Sequence, residues 1–141
     1  MDIERANQFC RSYGDAMASG TAAALAGHYG FPYISFTGGY ISRFEDAADA
    51  NGSVQAHLDR FQRGGLGLDI RLSGFRVEPV SGTGALCHLK WEIHPKNGAP
   101  GWAWDNVYGL RQSEDAQHFE FNISDNEFGE LLARYPDFMS V

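Results

Sequence analysis

Ala85-Leu86-Cys87-His88-Leu89-Lys90-Trp91-Glu92-Ile93 alternates two kinds of residue step by step. Ala85, Cys87, Leu89, Trp91 and Ile93 share one face, and Leu86, His88, Lys90 and Glu92 share the other, which is the period of a strand with one buried side. Pro95-Lys96-Asn97-Gly98 follows as a turn. The next strand repeats the pattern, with Trp102, Trp104, Asn106, Tyr108 and Leu110 along one side. A further strand follows, where Phe119, Phe121 and Ile123 alternate with His118, Glu120 and Asn122. Upstream, Leu68, Ile70 and Leu72 keep one phase, and after Gly74 the apolar phase moves to Phe75 and Val77. A phase change at a glycine is the mark of a β-bulge, and bulges bend sheets.

Outward from this run of strands the period changes to that of helices. Ile3, Ala6, Cys10, Tyr13 and Met17 form one apolar helical stripe, ended by Ser19-Gly20. Thr21 is placed to cap a short second helix through Ala22-Ala23-Ala24-Leu25. Phe31 to Thr37 and Tyr40 to Phe44 flank Gly38-Gly39 and predict a hairpin. A third helix is expected from near Ser53, with Val54, His57, Leu58 and Phe61 on its buried face and Gly64-Gly65 as its stop. Phe128, Leu131, Leu132 and Tyr135 predict a closing helix that Pro136 ends. Helices, a hairpin, a helix and then long strands give an α+β domain over residues 1–141. Its strongly curved antiparallel sheet would wrap the N-terminal helices and enclose an aromatic-lined cavity.

Composition narrows the function classes. Hydrophobic residues make up 43% and aromatics 13%, ample for one core in 141 residues. A net charge of -7 argues against nucleic-acid and anionic-membrane surfaces, which need clustered basic residues. No apolar run reaches the roughly 18–20 residues of a membrane helix. The acidic start Met1-Asp2-Ile3-Glu4 lacks a secretory layout, so the expectation is a cytoplasmic protein. Cys10 and Cys87 fall at apolar periodic positions and read as buried free thiols.

In order and spacing the chain resembles the nuclear transport factor 2-like superfamily, which includes ketosteroid-isomerase-like and SnoaL-like polyketide-cyclase domains. The resemblance rests on the first helical stripe, on His28-Tyr29-Gly30-Phe31-Pro32-Tyr33, and on the strand from Ala85 to Ile93. Gly101 to Arg111 and Phe119 to Ile123 complete it. It implies a cone-shaped domain, commonly a homodimer through the sheet, with a cavity between sheet and helices. Ketosteroid-isomerase-like sites use a carboxylate base near the first strand, with a tyrosine and a protonated aspartate as oxyanion donors. Here Tyr33 to Gly39 contains no Asp or Glu, and Asn106 stands where the resemblance would place the acid. An amide can donate a hydrogen bond but offers no proton for transfer.

Three catalytic candidates follow: His57 as acid/base, with Asn106 and Tyr108 as donors. Tyr13, Met17, Tyr33, Phe61, Trp91, Trp104 and Phe121 are the expected ligand-binding walls. The same aromatics could instead pack the interior or a dimer interface. Asp105, Arg111 and Asp125 resemble the Asp-Arg-Asp arrangement of epoxide hydrolases in this superfamily, but alternation puts Asp105 and Arg111 opposite Asn106, as a solvated or interface ion pair. His88, His94 and His118 fall on polar strand faces without metal-type spacing, so neither metal nor cofactor is expected. Three readings remain for function. One is an isomerase, cyclase or dehydratase acting on an apolar carbonyl-bearing or polycyclic small molecule. The second is a non-catalytic binder of such a molecule, and the third a dimerisation domain whose cavity its own side chains fill.

Overall fold

The first helix, α1 (Ile3–Ser19), is fixed at both ends by its sequence. Asp2 accepts a hydrogen bond from the Arg5 amide at 3.1 Å, and Gly20 closes the helix in the left-handed region at φ 68°. The computed structural model describes residues 1–63, 69–124 and 127–137. Gly64, Gly65, Leu68, Asp125 and the side chain of Phe128, on which sequence readings rest, lie outside the described residues. The second helix, α2 (Ala22–Ala26), starts after Thr21, whose hydroxyl makes no cap bond and instead meets Ser19 Oγ at 3.1 Å.

Strands β1 (Tyr29–Thr37) and β2 (Tyr40–Phe44) form the expected hairpin. Gly38 and Gly39 have φ of 54° and 88°, a pair of left-handed values that a two-residue turn requires. The third helix, α3 (Ala47–Arg63), begins well before Ser53. Its start lies in a reciprocal cap that the apolar periodicity does not register. The Asp49 amide donates to Asp46 Oδ1 at 2.9 Å, while Asp49 Oδ2 accepts from the Glu45 amide at 3.0 Å. The extra turn brings Ala50 fully into the core.

The remaining strands are β3 (Ile70–Pro79), β4 (Gly84–Ile93), β5 (Trp102–Gln112) and β6 (Gln117–Ser124). They join the hairpin in one open six-stranded sheet of order β2-β1-β6-β5-β4-β3. Every pairing is antiparallel except β1 with β6, which is parallel. Residue alternation fixes which face a side chain takes but carries no information on a neighbour's direction, so this pairing is not legible in it.

Besides a shift between β1 and β6 from Tyr29 to Ile34, two register shifts decide what faces inward. One lies between Leu72 and Gly74 of β3, where the phase change pointed. The other lies in β6: Leu110 pairs with Phe119, but Gly109 pairs with Phe121, leaving Glu120 as an extra residue. The sequence alternation put Phe119, Phe121 and Ile123 on one face; the bulge corrects this. Phe119 is fully buried, whereas Phe121 and Ile123 turn to the outer face and Asn122 and Ser124 turn inward. Gly109 makes room for this, because a Cβ there would fall within the ring of Phe121.

The inner face carries the core. Ala85, Cys87, Leu89, Trp91 and Ile93 of β4 and Trp102, Trp104, Tyr108 and Leu110 of β5 are all buried. Helix α1 crosses this face close to β3, where Gly14 leaves only enough space for Leu72; a Cβ would sit 2.9 Å from Leu72 Cδ2. The last helix, α4 (Glu127–Arg134), buries Leu131 and ends before Pro136. Its Arg134 guanidinium lies 5.1 Å from the centre of the Trp102 ring, and Tyr135 packs beside the same ring at 5.9 Å.

Candidate functional site

Where β1, β6 and β5 run side by side, the inner face becomes polar. Ser35 pairs with Asn122 and Asn122 with Tyr108, giving one row across three strands. Two residues along β1, Thr37 pairs with Ser124. Asn106, Asn122 and Ser124 are buried although each is polar. Burial without a partner costs roughly 1–3 kcal/mol for such a group, so the partners matter.

Part of this polar wall is satisfied internally. Tyr33 Oη donates to Asn122 Oδ1 at 2.6 Å, and Asn106 Nδ2 donates to Tyr108 Oη at 3.2 Å. The Ser35 and Thr37 hydroxyls are 3.0 Å apart. The rest is not satisfied. Asn106 Oδ1, Ser124 Oγ and the indole Nε1 atoms of Trp91, Trp102 and Trp104 are buried without a hydrogen-bond partner. Trp91 and Trp104 face each other across β4 and β5.

Tyrosines ring this wall. Tyr13 reaches over from α1 and meets Trp91 at 5.9 Å, Tyr108 at 5.2 Å and Phe119 at 5.1 Å, all edge-on. Its hydroxyl lies 2.6 Å from that of Tyr29, and Tyr29 stacks on Tyr33 at 4.1 Å. Burial first, and then the neighbouring Tyr108, Tyr29 and Tyr33, push the Tyr13 phenol well above its ordinary 10. It therefore acts only as a neutral hydroxyl at physiological pH.

His57 sits partly buried on α3, edge-on to Phe61 at 5.0 Å. Burial, helped by the Arg60 charge, lowers its pKa to about 4, so the ring is neutral near pH 7 and able to take a proton. Phe61 is buried in the same core as Tyr13, Tyr33, Trp91, Trp104 and Tyr108, and Met17 packs against it partly exposed. Tyr13, Tyr33, Phe61, Trp91, Trp104 and Tyr108 thus meet in one core with Met17 packed against it, Asn106 is buried on β5, His57 stands beside Phe61 on α3, and Phe121 does not join them. Phe121 instead lines an outer groove of about 480 Å³ with Phe31, Pro32, Ile34, Phe36 and His118.

Tyr29, Asn122, Ser124, Ser35 and Thr37 were missed by sequence reasoning as members of this wall. The signal for Asn122 and Ser124 was Gly109, since a glycine opposite a phenylalanine allows the bulge that inverts their phase. Arg111 is exposed and paired with Glu120 at 2.9 Å, and Asp105 is exposed. His88, His94 and His118 lie beside Glu78, Glu92 and Glu120 at 3.8, 3.5 and 3.9 Å. Among the described residues no group of three or more His, Cys, Asp or Glu is placed to hold a metal ion. Cys10 and Cys87 are free and fully buried; contact with Cys10, together with burial, pushes the Cys87 thiol up.

An open mixed sheet with helices on its inner face is the α+β architecture of the nuclear transport factor 2-like, or cystatin-like, fold. The comparisons agree on that fold. An NTF-2-like protein of unknown function from Shewanella oneidensis MR-1 superposes with a TM-score of 0.68 at 12% identity, covering 88% of this chain and 98% of that one. A domain of unknown function with a cystatin-like fold from Nostoc punctiforme PCC 73102 gives 0.69 at 15% identity, covering 99% and 86%. A ketosteroid isomerase-like protein from Erwinia carotovora atroseptica SCRI1043 gives 0.62 at 13% identity, covering 83% and 89%. No protein-family model matches the chain, and no curated protein matches it in sequence. Among the described residues, no helix is long and apolar enough to cross a membrane.

Proposed function

We propose that this chain binds an apolar small molecule bearing a carbonyl or a polycyclic skeleton against its inner wall. The proposed activity is that of an isomerase, cyclase or dehydratase. The supporting observation is the buried amide of Asn106, which has one partner in Tyr108 while its Oδ1 stays unpaired; the buried hydroxyl of Ser124 on β6 is unpaired as well. Natural interiors rarely leave such groups unmatched except where a ligand or water completes them. In this reading Asn106 and Tyr108 hold the substrate oxygen, and neutral His57 takes the proton from carbon. Tyr13, Met17, Tyr33, Phe61, Trp91 and Trp104 supply apolar contact, and no cofactor is invoked. A cytoplasmic setting is part of the same proposal, supported by the two free thiols.

The test titrates a panel of polycyclic ketones against the tryptophan fluorescence of the protein. Saturable quenching that Asn106→Leu weakens by about tenfold or more supports the reading. Absence of quenching across the panel sinks it. Turnover of a bound ketone that His57→Ala abolishes assigns the base, and binding without turnover leaves the non-catalytic alternative. The outer face supports a second proposal, a homodimer through the sheet. Ile41, Phe36 and Ile123 lie in one row there and are 72%, 39% and 42% exposed. Light scattering on Phe36→Lys should give half the mass of the parent; a parent that is already monomeric contradicts the dimer.

A further inference from the structure

On the flank of α1 a hydroxyl, an imidazole and a backbone carbonyl stand in line. His28 follows α2 and is 8% exposed. Its Nδ1 lies 2.8 Å from the Ala24 carbonyl oxygen. A carbonyl only accepts, so the proton of the neutral ring sits on Nδ1 and Nε2 is left bare. Ser12 Oγ is 2.9 Å from that Nε2 and must be the donor. Phe9 at 4.9 Å and Tyr13 at 5.2 Å hold the ring between them, while Ser12 itself is exposed to solvent. The arrangement fixes the tautomer, the orientation of the base and the direction of the serine proton.

We propose that Ser12 is a nucleophile activated by His28, with Ala24 O as the orienting acceptor, and that it takes acyl groups from small activated esters. Oγ attacks the ester carbonyl carbon as its proton passes to Nε2. The carbon–oxygen bond to the leaving alcohol then breaks, and the Nε2 proton goes to that alkoxide, leaving acyl-Ser12 and a neutral imidazole. Water, deprotonated by the same Nε2, releases the carboxylic acid and restores the hydroxyl. Ser12 lies mid-helix, so its own amide is committed to the helical ladder and is not offered to an oxyanion. The site is therefore suited to esters with good leaving groups, not to amides. This inference concerns a surface of α1 apart from the inner wall and does not rest on the ketone reading.

The test incubates the full chain with p-nitrophenyl acetate and locates the acetyl group by peptide mass mapping. One acetyl group on Ser12 is expected, and none on Ser12→Ala. The wild-type acylation rate should be level at neutral pH and fall in acid with a midpoint below the ordinary histidine value of about 6.5. Burial lowers the His28 pKa in that direction. Tyr13 is the titratable side chain packed on the ring, and its ionisation lies far to the alkaline side. His28→Gln, which keeps an N–H for Ala24 O, should slow Ser12 acetylation by about a hundredfold. Acetylation spread over amines with Ser12 unlabelled would overturn the proposal. A Ser12 rate that climbs tenfold per pH unit through neutrality, as hydroxide-driven acylation does, would also overturn it, without need of a variant at the buried histidine.

Discussion

Replacing Asn106 with leucine should stabilise the fold while damaging ligand binding. The two side chains branch alike, so the substitution changes polarity more than shape. It removes the bond to Tyr108, which at 3.2 Å is long and contributes about 0.5–1.5 kcal/mol. It also removes the unpaired buried Oδ1, whose desolvation costs about 1–3 kcal/mol, and adds apolar burial beside Leu89, its partner on β4. The larger methyl groups take back part of that through crowding. The net is a gain of about 1 kcal/mol. In a chain of 141 residues that corresponds to a melting point higher by about 3 °C. Asn122→Leu is the internal control. Its Oδ1 accepts from Tyr33 at 2.6 Å in the core, so the same chemistry should cost about 1–2 kcal/mol there. Urea unfolding followed by tryptophan fluorescence reads both. If Asn106→Leu loses 1 kcal/mol or more, the Asn106 amide is satisfied and the argument for a ligand fails with it.

Three further outcomes follow from the same geometry. Gly109→Ala should cost about 1–3 kcal/mol in urea unfolding by driving its Cβ into the Phe121 ring, and Phe121→Ala in the same chain should recover most of the loss. Equal losses in the single and double variants would place Phe121 elsewhere. Gly14→Ala should cost a similar amount, because Leu72 Cδ2 and Cβ stand 2.9 and 3.0 Å from the new carbon across the contact between α1 and β3. A neutral effect would mean a looser packing of that helix. His57 has a native pKa of about 4, below its unfolded value near 6.5, so its contribution is whole above pH 6.5 and lost as pH falls through 4. Up to about 3 kcal/mol is at stake, and His57→Gln should flatten that part of the pH–stability curve. The remaining slope belongs partly to His28, shifted in the same direction by burial.

Much of the fold was legible because buried strands and helices obey fixed periods. The stripes of β4 and β5 place every residue on the face where the structure has it, the α1 stripe does so for Ala6, Cys10 and Tyr13 while Ile3 is exposed, and the glycines at 20, 38–39 and 74 mark a cap, a turn and a bulge. Three things escaped, each for a physical reason. The start of α3 depends on Asp46 and Asp49 bonding to backbone amides, which leaves no trace in apolar spacing. The parallel pairing of β1 with β6 is a property of chain direction, not of side-chain pattern. The inner placement of Asn122 and Ser124 hangs on one extra residue in β6, and a polar residue in a strand reads as exposed until the bulge is known. The candidate site was half legible for that reason. Its aromatic members declare themselves by size and period, while its polar members look like surface.

The sheet carries its polarity inverted in one sector, and both inversions fall on the same strands. Asn122, Ser124 and Asn106 point inward from β6 and β5, whereas Ile34, Phe36, Phe121 and Ile123 of β1 and β6 point outward. A sheet that needed only to be stable in water would gain by exchanging them: apolar groups inside would remove the unpaired atoms, and polar groups outside would hydrate. Departures from the locally best choice concentrate where a protein meets something other than solvent. The two departures also share one cause in sequence, since the bulge at Glu120 sends Phe121 and Ile123 out by the same shift that brings Asn122 and Ser124 in. Restoring the phase by deleting Glu120 would move all four at once. The proposed wall for a small molecule and the proposed face for a second copy are thus coupled in this chain through a single inserted residue.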